Sequence, residues 1–252
     1  MNQWIKRWVG LWCIVGGLSV ILTSCLGNRN WEYPPPPSGA FVGIKAARPL
    51  PVRVLVLPFE DIRGAVVQEE YWKAAIPFVP YGVTRYDRPE AISQPEPVDQ
   101  ITFHPPVDFA KAMAAELRAA GLFSAVEFVQ HPDPALGDLA LRGRLKSTEW
   151  RRELWTYLLG PLGVVFWIVG APMGNTTTMV EMDVMLTPVD DPSRILWAMS
   201  MEFEGKKWDS PYYNLEDAVL SYPVALQEAL KPAIADLVHL AESNPRRFLV
   251  RR

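Results

Sequence analysis

Cysteine is almost missing from this chain. Of 252 residues only two are cysteines, Cys13 and Cys25. From Leu26 onward no thiol remains for a disulfide, a thiolate metal site or a cysteine nucleophile. A domain without crosslinks has to be held by its apolar core. Histidine is also sparse, and His104, His131 and His239 stand far apart, with no pair at a metal-ligand spacing such as HxxxH. There is no G-x-S-x-G, no S-x-x-K and no Walker loop. The adjacent acids Glu69-Glu70 and Asp190-Asp191 fit solvated turn or helix charges better than a catalytic pair. A basic excess is missing too. The net charge is −3, which leaves nothing to neutralise phosphates and excludes nucleic acid as an expected partner. Enzymatic chemistry, a metal and a cofactor are therefore not expected.

The N-terminus, by contrast, carries a strong signal. Lys6-Arg7 precedes an apolar segment, Trp8 to Leu22, which closes on Leu22-Thr23-Ser24-Cys25. A cationic start, an apolar centre and small residues before a cleavage point make a secretory signal peptide. With Cys directly after Leu-Thr-Ser, the segment resembles the lipobox of bacterial lipoproteins. That resemblance implies removal of residues 1–24 and acylation of Cys25, whose lipid would be the membrane contact. Two or more acyl chains, at about 0.8 kcal/mol per buried methylene, anchor a protein stably. Leu26 rather than Asp follows the cysteine, which by the same resemblance implies the periplasmic face of the outer membrane. Removing 24 of the 252 residues leaves 228, and losing Lys6 and Arg7 takes the net charge from −3 to −5. The hydrophobic content of 49% rules out wholesale disorder.

Residues 25–48 read as the lipid site followed by a Pro-rich tether. Pro34-Pro35-Pro36-Pro37 favours an extended polyproline segment, and the whole stretch would reach up to roughly 70 Å from the bilayer. The alternative is docking on the domain through Trp31, Tyr33 and Phe41. Residues 49–242 read as a single globular domain with inserts at 60–106 and 151–175, and 243–252 as a basic tail.

Within the domain, Val52 to Phe59 is β-branched and nearly continuously apolar, a buried strand. Seven prolines then fall between Glu60 and Pro106 and preclude long regular elements, with a short helix expected over Val67 to Ile76. The aromatic residues Tyr71, Trp72, Phe78, Tyr81 and Tyr86 predict that much of this insert is packed. Asp108 to Ala120 is the clearest helix: Phe109, Met113 and Leu117 make one stripe, Asp108 suits its start and Gly121 its end. A strand follows over Leu122 to Val129. Leu139 to Lys146, Val180 to Leu186 and Ile195 to Glu204 alternate in polarity, with a turn at Asp190-Asp191-Pro192-Ser193. About Leu215 to Ala241 reads as helix with a Leu226, Leu230, Ile234, Leu237, Leu240 stripe that Pro223 and Pro232 should divide or kink. The expected fold class is α/β (α+β): a mixed sheet with helices packed on it, a three-strand antiparallel meander and an apolar insert between two strands.

Val54-Leu55-Val56-Leu57-Pro58-Phe59-Glu60-Asp61 resembles the VxVLPFxD first strand of the fold group that holds the curli-secretion channel lipoprotein, the activator LpoB and the N-terminal domain of TolB. Residues 115–123, Leu141 to Leu145 and Ile195 to Trp197 fit the same pattern. The resemblance implies a shared α/β fold more than a shared task, and the long insert at 60–106 departs from the compact members.

The second long apolar run is Leu154 to Met173, twenty residues without a charge. It is long enough for a membrane helix, but Pro161 and three glycines weaken a helix. A single crossing would also separate two strands expected to pair. Three readings stay open: an interfacial hairpin dipping into the bilayer, a protein interface, or buried core. The candidate contact residues are Leu154, Trp155, Tyr157, Leu158, Leu159, Leu162, Val165, Phe166, Trp167 and Ile168. The expected function is a non-catalytic structural or assembly component of an envelope complex, in a homo- or hetero-oligomer. The alternative is a carrier for a lipid or other apolar ligand.

Overall fold

The computed structural model describes residues 31–35, 38–91, 103–212 and 218–249. Cys25 and the expected leader lie outside the described residues. The fold is a mixed α+β sheet of nine strands with helices packed on it. Its frame is a meander of long antiparallel strands. β6 (Leu139–Ser147) and β7 (Trp150–Trp155) pair with successive halves of one strand, β8 (Gly174–Pro188), and β9 (Trp197–Asp209) pairs with the other edge of β8. The first strand of the expected meander is thus one course broken at Thr148-Glu149. Tyr222 donates its hydroxyl proton to the Thr148 carbonyl there, at 2.6 Å.

Beside the two halves of that broken course lie two different sets of strands. β1 (Leu50–Val56) runs parallel to β6, with β5 (Phe123–Phe128) parallel beyond it and the two-residue β2 (Glu60–Asp61) also parallel to β6. β4 (Tyr81–Tyr86) runs antiparallel to β7, with β3 (Val67–Glu69) at its outer edge. The expected helix at 67–76 is instead β3 followed by a 3-10 turn over Tyr71–Ala75. Pairing with Thr84 to Tyr86 draws residues 67–69 into the sheet, which outweighs a weak helical preference.

Helix α1 (Pro105–Ala120) crosses from β1 to β5. Two prolines open it, where missing N–H groups cost nothing, and Gly121 closes it in the left-handed conformation at φ 64°. The Asp108 carboxylate accepts from the His104 N–H at 2.7 Å. Phe109, Met113 and Leu117 are all fully buried, each worth roughly 1.5–3 kcal/mol of apolar burial. The second long helix, Ala218–Ser243, is α3 in chain order, after a short α2 at Val164–Ile168. α3 continues through Pro223 and Pro232 as one helix, so of the expected division or kink the division does not occur. Leu226, Leu230, Ile234 and Leu237 are buried along it, and this packing supports the turns that lose a hydrogen bond to each proline. Trp197, Met199, Met201 and Phe203 join the core from β9, whereas Ile195 precedes the strand and is exposed.

Most of the opposite sheet face is polar. Lys146 bridges Asp183 at 2.7 Å and Glu181 at 3.3 Å, and Ser200 donates to Asp183 at 2.7 Å. Such exposed pairs contribute little stability.

The stretch expected to extend freely instead lies along the domain from Trp31 onward. Trp31 stacks on Phe103 at 5.0 Å and tilts over Phe109 at 5.6 Å. Glu116, buried on α1, accepts from the Tyr33 hydroxyl at 2.6 Å and from the Val42 N–H. Its charge and burial push the Tyr33 hydroxyl far above its ordinary range, desolvation first. Further along, the Ala46 N–H donates to the Ala120 carbonyl and the Ala47 N–H to Glu242. Aromatic surface and backbone donors were available to dock, and they outweigh the stiffness of the prolines. The C-terminal stretch is likewise anchored, with Phe248 fully buried.

A second clamp holds the insert at 60–91. The Arg63 guanidinium is buried and donates to Asp61 at 2.9 Å, to Glu90 at 2.5 Å and to the Thr148 hydroxyl at 2.6 Å. The Arg63 hydrogen bonds hold the Asp61 carboxyl below its ordinary value of 3.8. The stability from Asp61 is therefore fully present above about that value and is lost as pH falls through the lower folded-state one. Amide exchange measured at decreasing pH, starting near pH 4, is expected to show 60–91 opening before α1. Asp61→Asn is expected to weaken this region at neutral pH and to flatten its acid dependence.

Candidate functional site

One end of the sheet carries a continuous apolar cap. It is built by two segments far apart in sequence: the β7–β8 connection, residues 156–173, and the excursion between β3 and β4, residues 70–80. Neither adds to the main core. The cap's side chains turn outward instead: Phe78 is 86% exposed, Val169 75%, Leu162 72% and Ile168 65%. Trp72, Tyr71, Ile76, Val165, Leu158, Leu159 and Phe166 are exposed around them.

The two segments are locked together by backbone and hydroxyl contacts. The buried Thr156 hydroxyl donates to the Ala74 carbonyl at 2.6 Å, and the Phe78 N–H donates to the Leu158 carbonyl at 2.8 Å. Gly160 sits at φ 54° where an added Cβ would come 2.8 Å from the Ala75 carbonyl oxygen. Gly160→Val is thus expected to push the excursion off the connection. Proteolysis or amide exchange should then speed up at 71–80 while α1 keeps its protection.

Backbone strain concentrates here. Among the described residues, the non-glycine positions with positive φ are Phe78 at 67°, Tyr157 at 57° and Leu158 at 67°. Each costs on the order of 1–3 kcal/mol, and each belongs to the cap. The strain sharpens the turns that direct large apolar side chains away from the core.

Several polar side chains of the cap bond to its own carbonyls. Trp167 donates its indole N–H to the Trp155 carbonyl at 2.8 Å, and Tyr157 its hydroxyl to the Pro172 carbonyl at 2.7 Å. Tyr212 reaches the Ile168 carbonyl at 2.8 Å. Tyr157 and Phe166 pack ring to ring at 5.0 Å, and the Trp155 ring meets Trp208 edge-on at 5.2 Å. The short helix α2 forms because the run 164–168 has neither glycine nor proline, unlike its flanks.

Of the ten candidate contact residues, Tyr157, Leu158, Leu159, Leu162, Val165, Phe166 and Ile168 are exposed on the cap. Leu154, Trp155 and Trp167 are half-buried at its base. The second half of the cap was not anticipated. Tyr71, Trp72, Phe78 and Tyr81 were expected to be packed and are exposed, and only Tyr86 stacks inward, on Trp150 at 5.8 Å. The available signal was the charge-free run from Ala74 to Thr84.

Beside the cap's base, a cavity of about 380 Å³ opens between β7, β8, β9 and α3. Arg152, Glu204, Lys206, Lys207 and Asp209 are among its lining residues. Burial pushes the Asp209 carboxyl up, against the pull of the Thr176 hydroxyl at 2.6 Å and of Arg152 at 3.3 Å. Among the described residues no group of three metal-ligating side chains forms, and no helix is long and apolar enough to cross a membrane.

No family model matches the chain. No curated protein matches it either. Solved structures similar to it include a Xanthomonas campestris protein described by the family model DUF330, at 8% identity and TM-score 0.43, covering 81% of this chain and 95% of that one. Another is the PelC dodecamer from Paraburkholderia phytofirmans, at 13% identity and TM-score 0.34, covering 75% of this chain and 92% of that one. A third is lipoprotein GNA1162 from Neisseria meningitidis, at 13% identity and TM-score 0.30, covering 74% and 99%. All three superpose only in part, and no residue role passes from them to this chain.

Proposed function

We propose that this chain is a lipoprotein attached through Cys25 to the periplasmic face of the outer membrane. There it acts without catalysis as a structural or assembly component of an envelope complex. The single observation behind this reading is the cap. A domain with an ample core keeps a large apolar surface outside it, on strained and rigidly tied turns. Contiguous apolar patches of this kind mark attachment to a membrane or to a protein, and either suits a component that works at the envelope. The lipobox supplies the address, and the likeness of Val54 to Asp61 to the first strand of the curli-secretion, LpoB and TolB group fits a task in secretion, surface-appendage assembly or envelope biogenesis. Partners are other envelope proteins, in a homo- or hetero-oligomer.

The carrier alternative gains no support from the cavity. An apolar ligand there would have to desolvate Arg152, Glu204 and Lys206, which is costly. The test is purification of the native protein from membranes after labelling with a palmitate analogue. Label on Cys25 together with co-purifying envelope proteins is expected. An unlabelled protein with its mature N-terminus elsewhere would remove the address, and a labelled one that purifies alone would remove the assembly role.

A further inference from the structure

Resting on the lipoprotein reading, we propose that the cap is a second membrane attachment, and that residues 71–80 and 157–169 together seat in the same bilayer that holds the Cys25 lipid.

The first argument is reach. Cys25 lies six positions before Trp31, the first described residue and one that is docked, so the lipid site stays within about 20 Å of the Trp31 backbone. Trp31 stacks on Phe103, Phe103 on Tyr222, and the Tyr222 hydroxyl touches the Thr148 carbonyl. That chain of contacts ties Trp31, through two rings, to the break at Thr148. From Thr148 the strand course runs seven positions to Trp155 and the cap, about 23 Å at 3.3 Å per residue. In the other direction it runs nine positions to Leu139, about 30 Å. A lipid site within about 20 Å of Trp31 comes close to the level of the cap's base, whereas the far end lies well beyond that reach.

The second argument is chemistry. A bilayer demands that polar groups entering it be satisfied internally. A protein partner makes no such demand, because it can supply hydrogen bonds of its own. In the cap, Trp167, Tyr157, Tyr212 and Thr156 all donate to carbonyls of the cap or its base. Residues 154–180 and 74–84 contain no charged residue, and Lys73, at the start of the excursion, is paired with Glu70 at 2.7 Å. Tyr71, Trp72 and Tyr157 are exposed among the outward Leu, Val, Ile and Phe, a composition favoured at a membrane interface. The connection is too short and too broken to span, so it would lie in the interface as a monotopic contact does. Two attachments would hold the strands upright on the membrane and leave the polar face and the β9 edge for protein contacts.

The test uses the full-length lipidated protein, reconstituted in phosphatidylethanolamine–phosphatidylglycerol vesicles. Removal of the leader takes Cys13 away and acylation occupies Cys25, so Phe78→Cys, Leu162→Cys and Ile195→Cys each provide one thiol for a nitroxide label. All three positions are exposed, which keeps the core intact. Expected is loss of access to a water-soluble nickel chelate at 78 and 162, with access to oxygen retained, while 195 remains open to nickel. Equal nickel access at all three positions would overturn the second attachment and leave the lipoprotein reading standing. Nickel shielding at 78 and 162 accompanied by label–label broadening between protomers, equally present in detergent without vesicles, would assign the cap to a second copy and also overturn it. Absence of lipid on the wild-type protein would instead sink the reading beneath it.

Discussion

Met113→Asp is expected to leave the protein largely unfolded at neutral pH. Met113 is fully buried in the centre of α1, between Phe109 and Leu117, over the β1–β5 half of the sheet. A carboxylate there meets no cation in the apolar cluster around it. An uncompensated buried charge costs several kcal/mol, against a total stability of about 5–15 kcal/mol for a domain. Protonation offers partial relief, so the variant should regain structure as pH is lowered toward the raised pKa of the new carboxyl. Met113→Leu keeps the volume and should cost less than about 1.5 kcal/mol. Urea midpoints followed by circular dichroism separate the two. A Met113→Asp protein as stable as wild type at pH 7 would show that the α1 stripe is not the core.

The elements legible in the sequence are those in which a periodic pattern and the packing agree. The Phe109, Met113, Leu117 stripe, the alternation from Leu139 to Leu145 and the turn at Asp190 to Ser193 each show in a local pattern that the packing respects. The elements that pattern misplaced depend on distant partners. Residues 67–69 become a strand because β4 is there to pair with, and β4 is a strand because β7 extends past the break at Thr148. Nothing within ten residues of Val67 carries that information. Trp31 was ambiguous for the same reason: its partners Phe103 and Phe109 lie more than seventy residues away.

The candidate surface divides in the same manner. Twenty uncharged residues in one run are visible without a structure, and most of the exposed side chains of 157–169 were found that way. The matching half from Tyr71 to Tyr81 hides in a proline-rich insert, where aromatic side chains serve burial and exposure equally well. Only the contacts of Ala74 with Thr156 and of Phe78 with Leu158 show that both halves make one surface.

Tyr222→Ala should produce the second large loss, and it tests how the parts are joined. Tyr222 is fully buried, stacks on Phe103 at 5.3 Å, tilts against Phe109 at 6.4 Å and donates to the Thr148 carbonyl. Truncating a buried aromatic costs about 3–5 kcal/mol. The loss should not be uniform, because Phe103 supports Trp31 and Thr148 is held in place by the Arg63 clamp. Exchange and proteolysis should therefore speed up first in 31–46 and 60–91, with β8 and the C-terminal half of α3 retaining protection longest. Tyr222→Phe keeps the ring and removes one hydrogen bond, so it should cost only about 0.5–1.5 kcal/mol, concentrated at the Thr148 break. If Trp31 remains docked in Tyr222→Ala, the N-terminal stretch is held by Glu116 rather than by the aromatic stack. If it is released, the span between Cys25 and the domain lengthens by the undocked residues, and the short reach on which the proposed second attachment rests depends on this one ring.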